Sequence, residues 1–342
     1  MKNEDLVRPH CPVAYQADGE RYTKMPYTRV GHSGVLLPHI SLGLWHNFGT
    51  EKPIQHSQEL IHYAFDHGIT HFDLANNYGP PYGSAEATFG QIMKTSLSPY
   101  RDELFISTKA GYDMWPGPYG DGGSRKYLMS SLDQSLKRMN LDYVDLFYSH
   151  RYDAHTPIEE TMQALVDIVR QGKALYVGIS RYPREAAQKA YDYLAAHDVP
   201  CLIYQGRLNM IDRGDEQDIL HQCASHGVGY IGFSPLAQGL LTDRYLHGIP
   251  MDSRMAEDHF LKSDMMTPAL HQQLLKLQSM ANAKSMTIAQ LALNWVLSHP
   301  EVNSVIVGVS SKEQLADNIQ TGAMALLTAA EMQEIDAIFR AD

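Results

Sequence analysis

Two hydrophobic periods alternate along most of this chain. Short apolar runs recur at HISLGLW (39–45), ITHFDL (69–74), LFISTKA (104–110), YVDLFYSH (143–150), LYVGIS (175–180), CLIYQ (201–205), GYIGFS (229–234) and SVIVGVS (304–310). Each is short and apolar on both faces, the pattern of a strand buried on both sides of a parallel sheet. Between them lie stretches with helical spacing. Leu60, Ile61, Ala64 and Phe65 share one face of a helix predicted from Ser57 to His67. A second helix is predicted from Ser84, with its hydroxyl as cap, to about Leu97, and others at about 125–139, 157–171, 183–196 and 215–225. An irregular connection (235–267) and two helices precede the last strand, and helices at about 312–320 and 328–339 close the chain. TRVGHSGVLLP (28–38) reads as a hairpin turning at His32 to Gly34.

Eight strand–helix units in series predict an α/β fold, a (β/α)8 TIM barrel with a short N-terminal hairpin and extra C-terminal helices. No linker interrupts the series, so 27–342 is expected to be one barrel domain behind an irregular arm, 1–26, lying on the body of the protein or on a neighbouring subunit. An open dinucleotide-binding sheet would call for GxGxxG after an early strand. HNFGTEKP follows Trp45 instead.

Composition narrows the function. The chain has 342 residues, 44% of them hydrophobic, and a net charge of −11, which argues against nucleic acid or an acidic membrane as partner. Cys11, Cys201 and Cys223 are too few for a disulfide framework and point to a reducing compartment. The first residues lack the apolar core of a signal peptide, and no run is long enough to span a membrane, so a cytoplasmic location is expected. The 17 histidines invite a metal. Yet His67 and His71 straddle Gly68, and His62 and His67 fall on different helical faces, so none is expected.

The chemistry gathers where strands end. Asp73, Lys109 and His150 close the second, third and fourth strands, and Tyr78 follows Asp73 by five residues. In a parallel barrel those ends share one rim, where active sites sit. A phenol at its ordinary pKa of about 10 is a poor proton relay at neutral pH. An ammonium beside it, held by a carboxylate, is expected to lower that value. With a histidine to orient a carbonyl oxygen, the set lacks only a hydride source, which implies a nicotinamide cofactor.

FDLANNYG, STKAG and YSHR together resemble the aldo-keto reductase family from about Tyr27 onward, and the resemblance implies Asp73, Tyr78, Lys109 and His150 as its catalytic tetrad. Longer runs, LGLWHNFG, FDLANNYGPP, STKAGYDMWPGPYG, SLDQSLKRM, GKALYVGIS and PLAQGLLT, are similar to the family's bacterial L-glyceraldehyde 3-phosphate reductase branch. That resemblance implies NADPH-dependent reduction of small aldehydes, including methylglyoxal-like carbonyls, with Tyr78 as general acid. The same branch resembles the β subunits of voltage-gated potassium channels, so the alternative is a slow-turnover NADP(H)-binding redox-sensing regulatory subunit. Those subunits carry Asn where this chain keeps His150, which favours the enzyme.

The resemblance also implies a cofactor site. Trp45 and Asp73 would lie by the nicotinamide ribose, and Ser180, Arg181 and Gln205 by the carboxamide. Phe233 would stack on the nicotinamide ring in place of the usual Tyr or Trp. Ser234, Leu236 and Gly239 would follow the pyrophosphate, with Arg244 and Arg254 near the phosphates. Ser310, Gln314 and Asn318 match the adenine end. Asp317 is one carbon shorter than the usual Glu, and Ser311 stands where this branch often has Arg. NADPH is favoured by Arg254 and Lys312, and NADH stays open. Among substrate contacts, Trp45, Tyr112, Trp115 and Arg151 are candidates. The 112–123 loop either walls a small pocket or is a packed lid, and Arg151 meets either an anionic substrate or Asp153. Family analogy implies a homo-oligomer, a tetramer or octamer.

Overall fold

The computed structural model describes residues 15–246 and 265–340. A hairpin of β1 (Tyr27–Arg29) and β2 (Leu36–Pro38) opens the regular structure, in antiparallel register from Tyr27↔Pro38 to Arg29↔Leu36. Strands and helices then alternate: β3 (Ile40–Gly43), α1 (Ile54–Asp66), β4 (His71–Asp73), α2 (Ser84–Ile92), β5 (Phe105–Ala110), α3 (Arg125–Met139), β6 (Val144–Ser149) and α4 (Ile158–Arg170). They continue through β7 (Ala174–Ser180), α5 (Arg184–Ala196), β8 (Cys201–Arg207), α6 (Gly214–Ser225) and β9 (Gly229–Phe233). Then come α7 (Pro268–Ala283), α8 (Ile288–Leu297), β10 (Val302–Val307), α9 (Lys312–Gly322) and α10 (Ala329–Arg340). Among the described residues, eight parallel strands close a barrel in the order β10-β3-β4-β5-β6-β7-β8-β9.

The described residues of Met1–Lys24 and Leu42–Cys201 form one compact unit, and those of Met25–Ser41 and Leu202–Asp342 another. In the first unit every residue of β6 is buried, as its apolar run requires of a strand covered on both faces. Phe72 of β4 packs on Phe89 of α2, ring centroids 5.7 Å apart. That turns Phe72 outward to the helices, so alternation sends His71 and Asp73 to the barrel interior. Helices α2 and α3 approach closely at Gly90, where a Cβ would stand 2.1 Å from the Arg138 carbonyl oxygen. The end of the arm lies on this unit. Tyr15 stacks on His62 with centroids 3.6 Å apart, and its hydroxyl donates to Asp66 at 2.7 Å. Arg21 is buried against the rings of Phe65 and Tyr100 and paired with Glu103.

In the second unit α8 is buried at all ten of its residues and starts in a capping box formed by Thr287 and Gln290. Three local expectations are corrected. Helix α1 begins at Ile54, behind Pro53, and Ser57 is a buried interior residue. Ser84 is the first residue of α2 and does not cap it: Gly83, at φ 82°, takes the cap position, and the Ser84 hydroxyl is buried without a partner. The helix expected to reach Leu97 is α-helical only to Ile92 and continues as a π-helical turn, Met93–Leu97, then a 3-10 turn, Ser98–Glu103. Among the described residues no helix is long and apolar enough to cross a membrane.

Candidate active site

Asp73 is the last residue of β4 and pairs in register with Ser107 of β5, two residues before Lys109. Side chains two apart on a strand share a face, so Ser107 and Lys109 meet Asp73 on the barrel interior. The Lys109 ammonium donates to Asp73 Oδ2 and to the Leu74 carbonyl oxygen, each at 2.6 Å, and Ser107 Oγ donates to Asp73 Oδ1 at 2.8 Å. Lys109 has no exposure and Asp73 only 2%. Buried charges require this degree of pairing.

Tyr78 stands over the pair, with Lys109 Nζ 5.0 Å from its ring centroid. The loop that carries it is tied down by Tyr78 N to Ala75 O (3.1 Å) and Asn76 N to Lys109 O (2.9 Å). Its ring meets His150 nearly edge-on, centroids 5.9 Å apart at 71°, and Trp45 at 6.5 Å. All four members of the expected tetrad thus lie together in the first unit.

The electrostatics differ from the expectation at one point. The sequence predicts that Lys109 lowers the Tyr78 pKa. Burial instead pushes the phenol well above 10, and Asp73 and Tyr112 push the same way. The ammonium is already matched by Asp73, so the pair presents little net charge to the phenol and desolvation prevails. Burial also lowers Lys109, against the pull of Asp73. His150 is driven well below 6.5 by burial and then by Lys109, Arg181 and Arg151. At neutral pH the site therefore holds a protonated phenol beside a neutral imidazole, whose Nδ1 is buried with no hydrogen-bond partner.

Tyr112 joins this group. Its ring stands at 89° to His150, 4.7 Å away, and Arg181 Nη1 donates to its hydroxyl at 3.2 Å. Arg181 follows β7 in a left-handed conformation, φ 55°, directly after the buried Ser180. Trp115 packs instead on Tyr127 of α3, 5.1 Å between centroids, and the Tyr127 hydroxyl donates to the Tyr112 carbonyl. The loop is thus pinned to α3. Arg151 does not pair with Asp153. It donates to Gly111 O at 2.7 Å and to both oxygens of Asp121 at 2.9 and 3.1 Å, while Asp153 accepts from Gly123 N and Thr156 Oγ1.

The other cofactor candidates belong to the second unit. Gln205 is buried in β8, which runs two residues further than its apolar pattern indicated. Phe233 ends β9 with the Arg207 guanidinium 5.7 Å from its ring centroid. Ser234 follows at φ 52° and accepts from Asn209 Nδ2 at 3.0 Å. Leu236 caps a 3-10 turn that ends at Gly239, closed by Gly239 N to Leu236 O at 2.8 Å, and Arg244 is exposed on the next. Ser310 N and Oγ both donate to Gln314 Oε1, at 3.0 and 3.1 Å, and Asn318 is buried on α9. Asp317 accepts from Thr287 Oγ1 at 3.2 Å and Gln290 Nε2 at 2.8 Å. Arg254 lies outside the described residues.

Sequence reading passed over two side chains of this cluster, Ser107 and His71. Their signal is an H-x-D run on one strand beside an S-x-K run on the next, legible only once the register is known. Among the described residues no group of three or more His, Cys, Asp or Glu is arranged to hold a metal.

A closed parallel barrel with an acid, a lysine and a tyrosine gathered at the ends of neighbouring strands defines a class, and residues 39–340 match the aldo/keto reductase family: the chain belongs to it. It is an oxidoreductase that acts on carbonyl compounds, in a family whose members generally use NAD(P)H. Over 329 residues, 95% of each chain, it is 51% identical to L-glyceraldehyde 3-phosphate reductase of Escherichia coli (strain K12). It is 34% identical over 324 residues, 92% of this chain and 97% of the other, to a probable voltage-gated potassium channel subunit beta of Arabidopsis thaliana. A rice protein of the same description, from Oryza sativa subsp. japonica, is 33% identical over 322 residues, 92% of this chain and 96% of the other.

Proposed function

We propose that this chain reduces small aldehydes to alcohols with NADPH as reductant and Tyr78 as general acid, L-glyceraldehyde 3-phosphate and methylglyoxal-like carbonyls being its substrates. One observation carries the reading: a buried Asp73–Lys109 pair, 2.6 Å between the charged atoms, beneath the ring of a phenol that burial keeps protonated.

The residues fit a dinucleotide. His150 leaves a buried ring nitrogen without a partner, Ser180 brings a buried polar side chain to the end of β7, Gln205 is a buried polar side chain near the end of β8, and α9, 11 residues long, offers a helix N-terminus to an anion. The residues that the family resemblance gives for holding it are Trp45, Ser180, Arg181, Gln205, Phe233, Ser234, Leu236, Gly239, Arg244, Ser310, Gln314 and Asn318. When bound, the nicotinamide supplies hydride.

The rest is done by the chain. Tyr78 keeps its proton on the phenol oxygen until a carbonyl oxygen gains negative charge and becomes the stronger base. Lys109 then stabilises the phenolate, and Asp73 holds Lys109 charged and in place. His150, neutral, can donate its ring N–H to the carbonyl oxygen and aim it at Tyr78. Tyr112 and Trp45, whose rings stand beside His150 and Tyr78, border the place a small aldehyde would take.

The test is steady-state oxidation of NADPH with a panel of short aldehydes that includes both named substrates, repeated with NADH. Turnover that Tyr78→Phe abolishes while nucleotide binding persists is the expected result. Tight nucleotide binding with no turnover on any carbonyl would overturn the reading in favour of a regulatory nucleotide-binding subunit.

A further inference from the structure

Beneath the tetrad the hydrogen bonding continues one step deeper into the barrel. Ser107 Oγ lies 2.8 Å from Asp73 Oδ1 and 2.9 Å from His71 Nε2, and all three side chains are buried. The protons can be assigned by counting. A serine hydroxyl has one proton, and an ionised carboxylate can only accept. The Ser107 proton is therefore spent on Asp73, and the Ser107 oxygen must accept from His71. That fixes the tautomer of His71, with its proton on Nε2.

The chain of donors runs one way: His71 Nε2–H to Ser107, Ser107 Oγ–H to Asp73 Oδ1, Lys109 Nζ–H to Asp73 Oδ2. We propose that Ser107 and His71 are positioning residues for the carbonyl reduction, acting through Asp73 to keep the Asp73–Lys109 pair ionic and Lys109 aimed beneath Tyr78. This rests on the assignment of Tyr78 as proton donor.

The physical need is clear. A dry carboxylate–ammonium pair can relax to neutral acid and amine, and a neutral Lys109 would not stabilise a phenolate. A hydrogen bond to the charged form of the carboxyl opposes that relaxation. Several groups among the described residues face the pair. Tyr78 and Glu86 act on it electrostatically, His150 lies within reach of the Lys109 charge, and the Tyr148 ring centroid is 5.6 Å from Lys109 Nζ. Of these only Glu86 is acidic, and it is itself bound to Thr108 at 2.5 Å and Arg138 at 2.7 Å. Ser107 is a side-chain donor placed to hold Oδ1, at 2.8 Å. His71 packs edge-on against Phe105, centroids 5.5 Å apart.

The test compares Ser107→Ala, His71→Leu and His71→Gln with the parent protein and Tyr78→Phe, measuring kcat, KM and their pH dependence on one aldehyde. A charge-assisted hydrogen bond lost at Oδ1 is expected to lower kcat about 10- to 100-fold, with KM changed far less. It is also expected to move the acid limb of the kcat profile to higher pH, since the carboxylate has lost a donor. His71→Leu should shift both in the same direction, and His71→Gln, which keeps an N–H donor, should recover most of the loss. A purely structural role would lower the melting temperature and leave the acid limb in place. If Tyr78→Phe abolishes turnover while Ser107→Ala and His71→Leu keep kcat and the acid limb within about twofold of the parent, the positioning role is overturned and the assignment of Tyr78 stands. A Tyr78→Phe protein with full turnover would overturn both. Should Ser107→Ala fail to fold, the contrast between His71→Leu and His71→Gln decides: equal acid limbs overturn the role.

Discussion

Replacing Lys109 by methionine keeps most of the length of the side chain and deletes its charge, leaving Asp73 at 2% exposure without a counter-ion. A carboxylate in that place is expected to fold as the neutral acid. Holding a proton that an ordinary aspartate, with a pKa of about 3.9, gives up at pH 7 costs about 4 kcal/mol. The Leu74 carbonyl loses its donor as well, adding about 1 kcal/mol or more that does not vary with pH. Lys109→Met should therefore be about 5 kcal/mol less stable than the parent at pH 7. The sign of the pH dependence follows. A group protonated when folded and ionised when unfolded regains stability as pH falls toward its unfolded value, so the deficit should shrink by about 1.4 kcal/mol per pH unit and be somewhat more than halved by pH 5. Removing the Lys109 charge also relieves His150, which narrows the gap in the same direction. Urea unfolding of both proteins at pH 7, 6 and 5 reads the slope. A deficit that stays constant over that range, or one below about 1 kcal/mol at pH 7, would mean that Asp73 is not a dry charge and would undo the account of the site.

Three further outcomes are expected. Arg21→Ala removes a buried guanidinium from Glu103 and from the faces of Phe65 and Tyr100, and should cost about 2 to 3 kcal/mol in denaturant unfolding while leaving kcat unchanged. Gly90→Ala should destabilise by about 2 kcal/mol or more even though alanine favours a helix by about 1, because the new Cβ would meet Arg138 O at 2.1 Å and Met139 Cα at 2.7 Å, both backbone. A melting temperature equal to or above that of the parent would refute this. Stability should also fall as pH drops below about 6.5: His71 stays neutral down to about 4 in the fold, whereas the unfolded chain takes up its proton, a loss of about 3 kcal/mol across that window. His150 adds to the loss in the same direction. Melts from pH 7 to 4.5 should show this slope, and His71→Gln should make it shallower.

The barrel was legible because its strands are apolar on both faces and its helices on one, so that the period alone separates them. The strand ends were legible too, since a carboxylate, a lysine and a histidine interrupt apolar runs at Asp73, Lys109 and His150. The departures have local causes. The helix beyond Ile92 keeps an apolar spacing that cannot reveal Thr95 and Ser96 donating back to Gln91 O and Ile92 O, at 2.9 and 3.0 Å, where the α-helix gives way to a π turn. Ser84 has the chemistry of a cap, but the left-handed Gly83 holds that place. The direction of the Tyr78 shift was hidden because a sequence shows neighbours and not dryness. Ser107 and His71 were hidden because a one-residue change of register between β4 and β5 would carry them to the opposite face.

Arg181 and Ser234, each the residue directly after a barrel strand, sit in left-handed backbone without being glycine. That conformation costs an L-residue about 1 to 2 kcal/mol, somewhat more than a glycine forfeits in chain entropy. A laboratory selection for heat tolerance alone would therefore drift toward glycine at both places. On the cofactor assignments proposed above, a more robust but slower catalyst would be what such a selection returned.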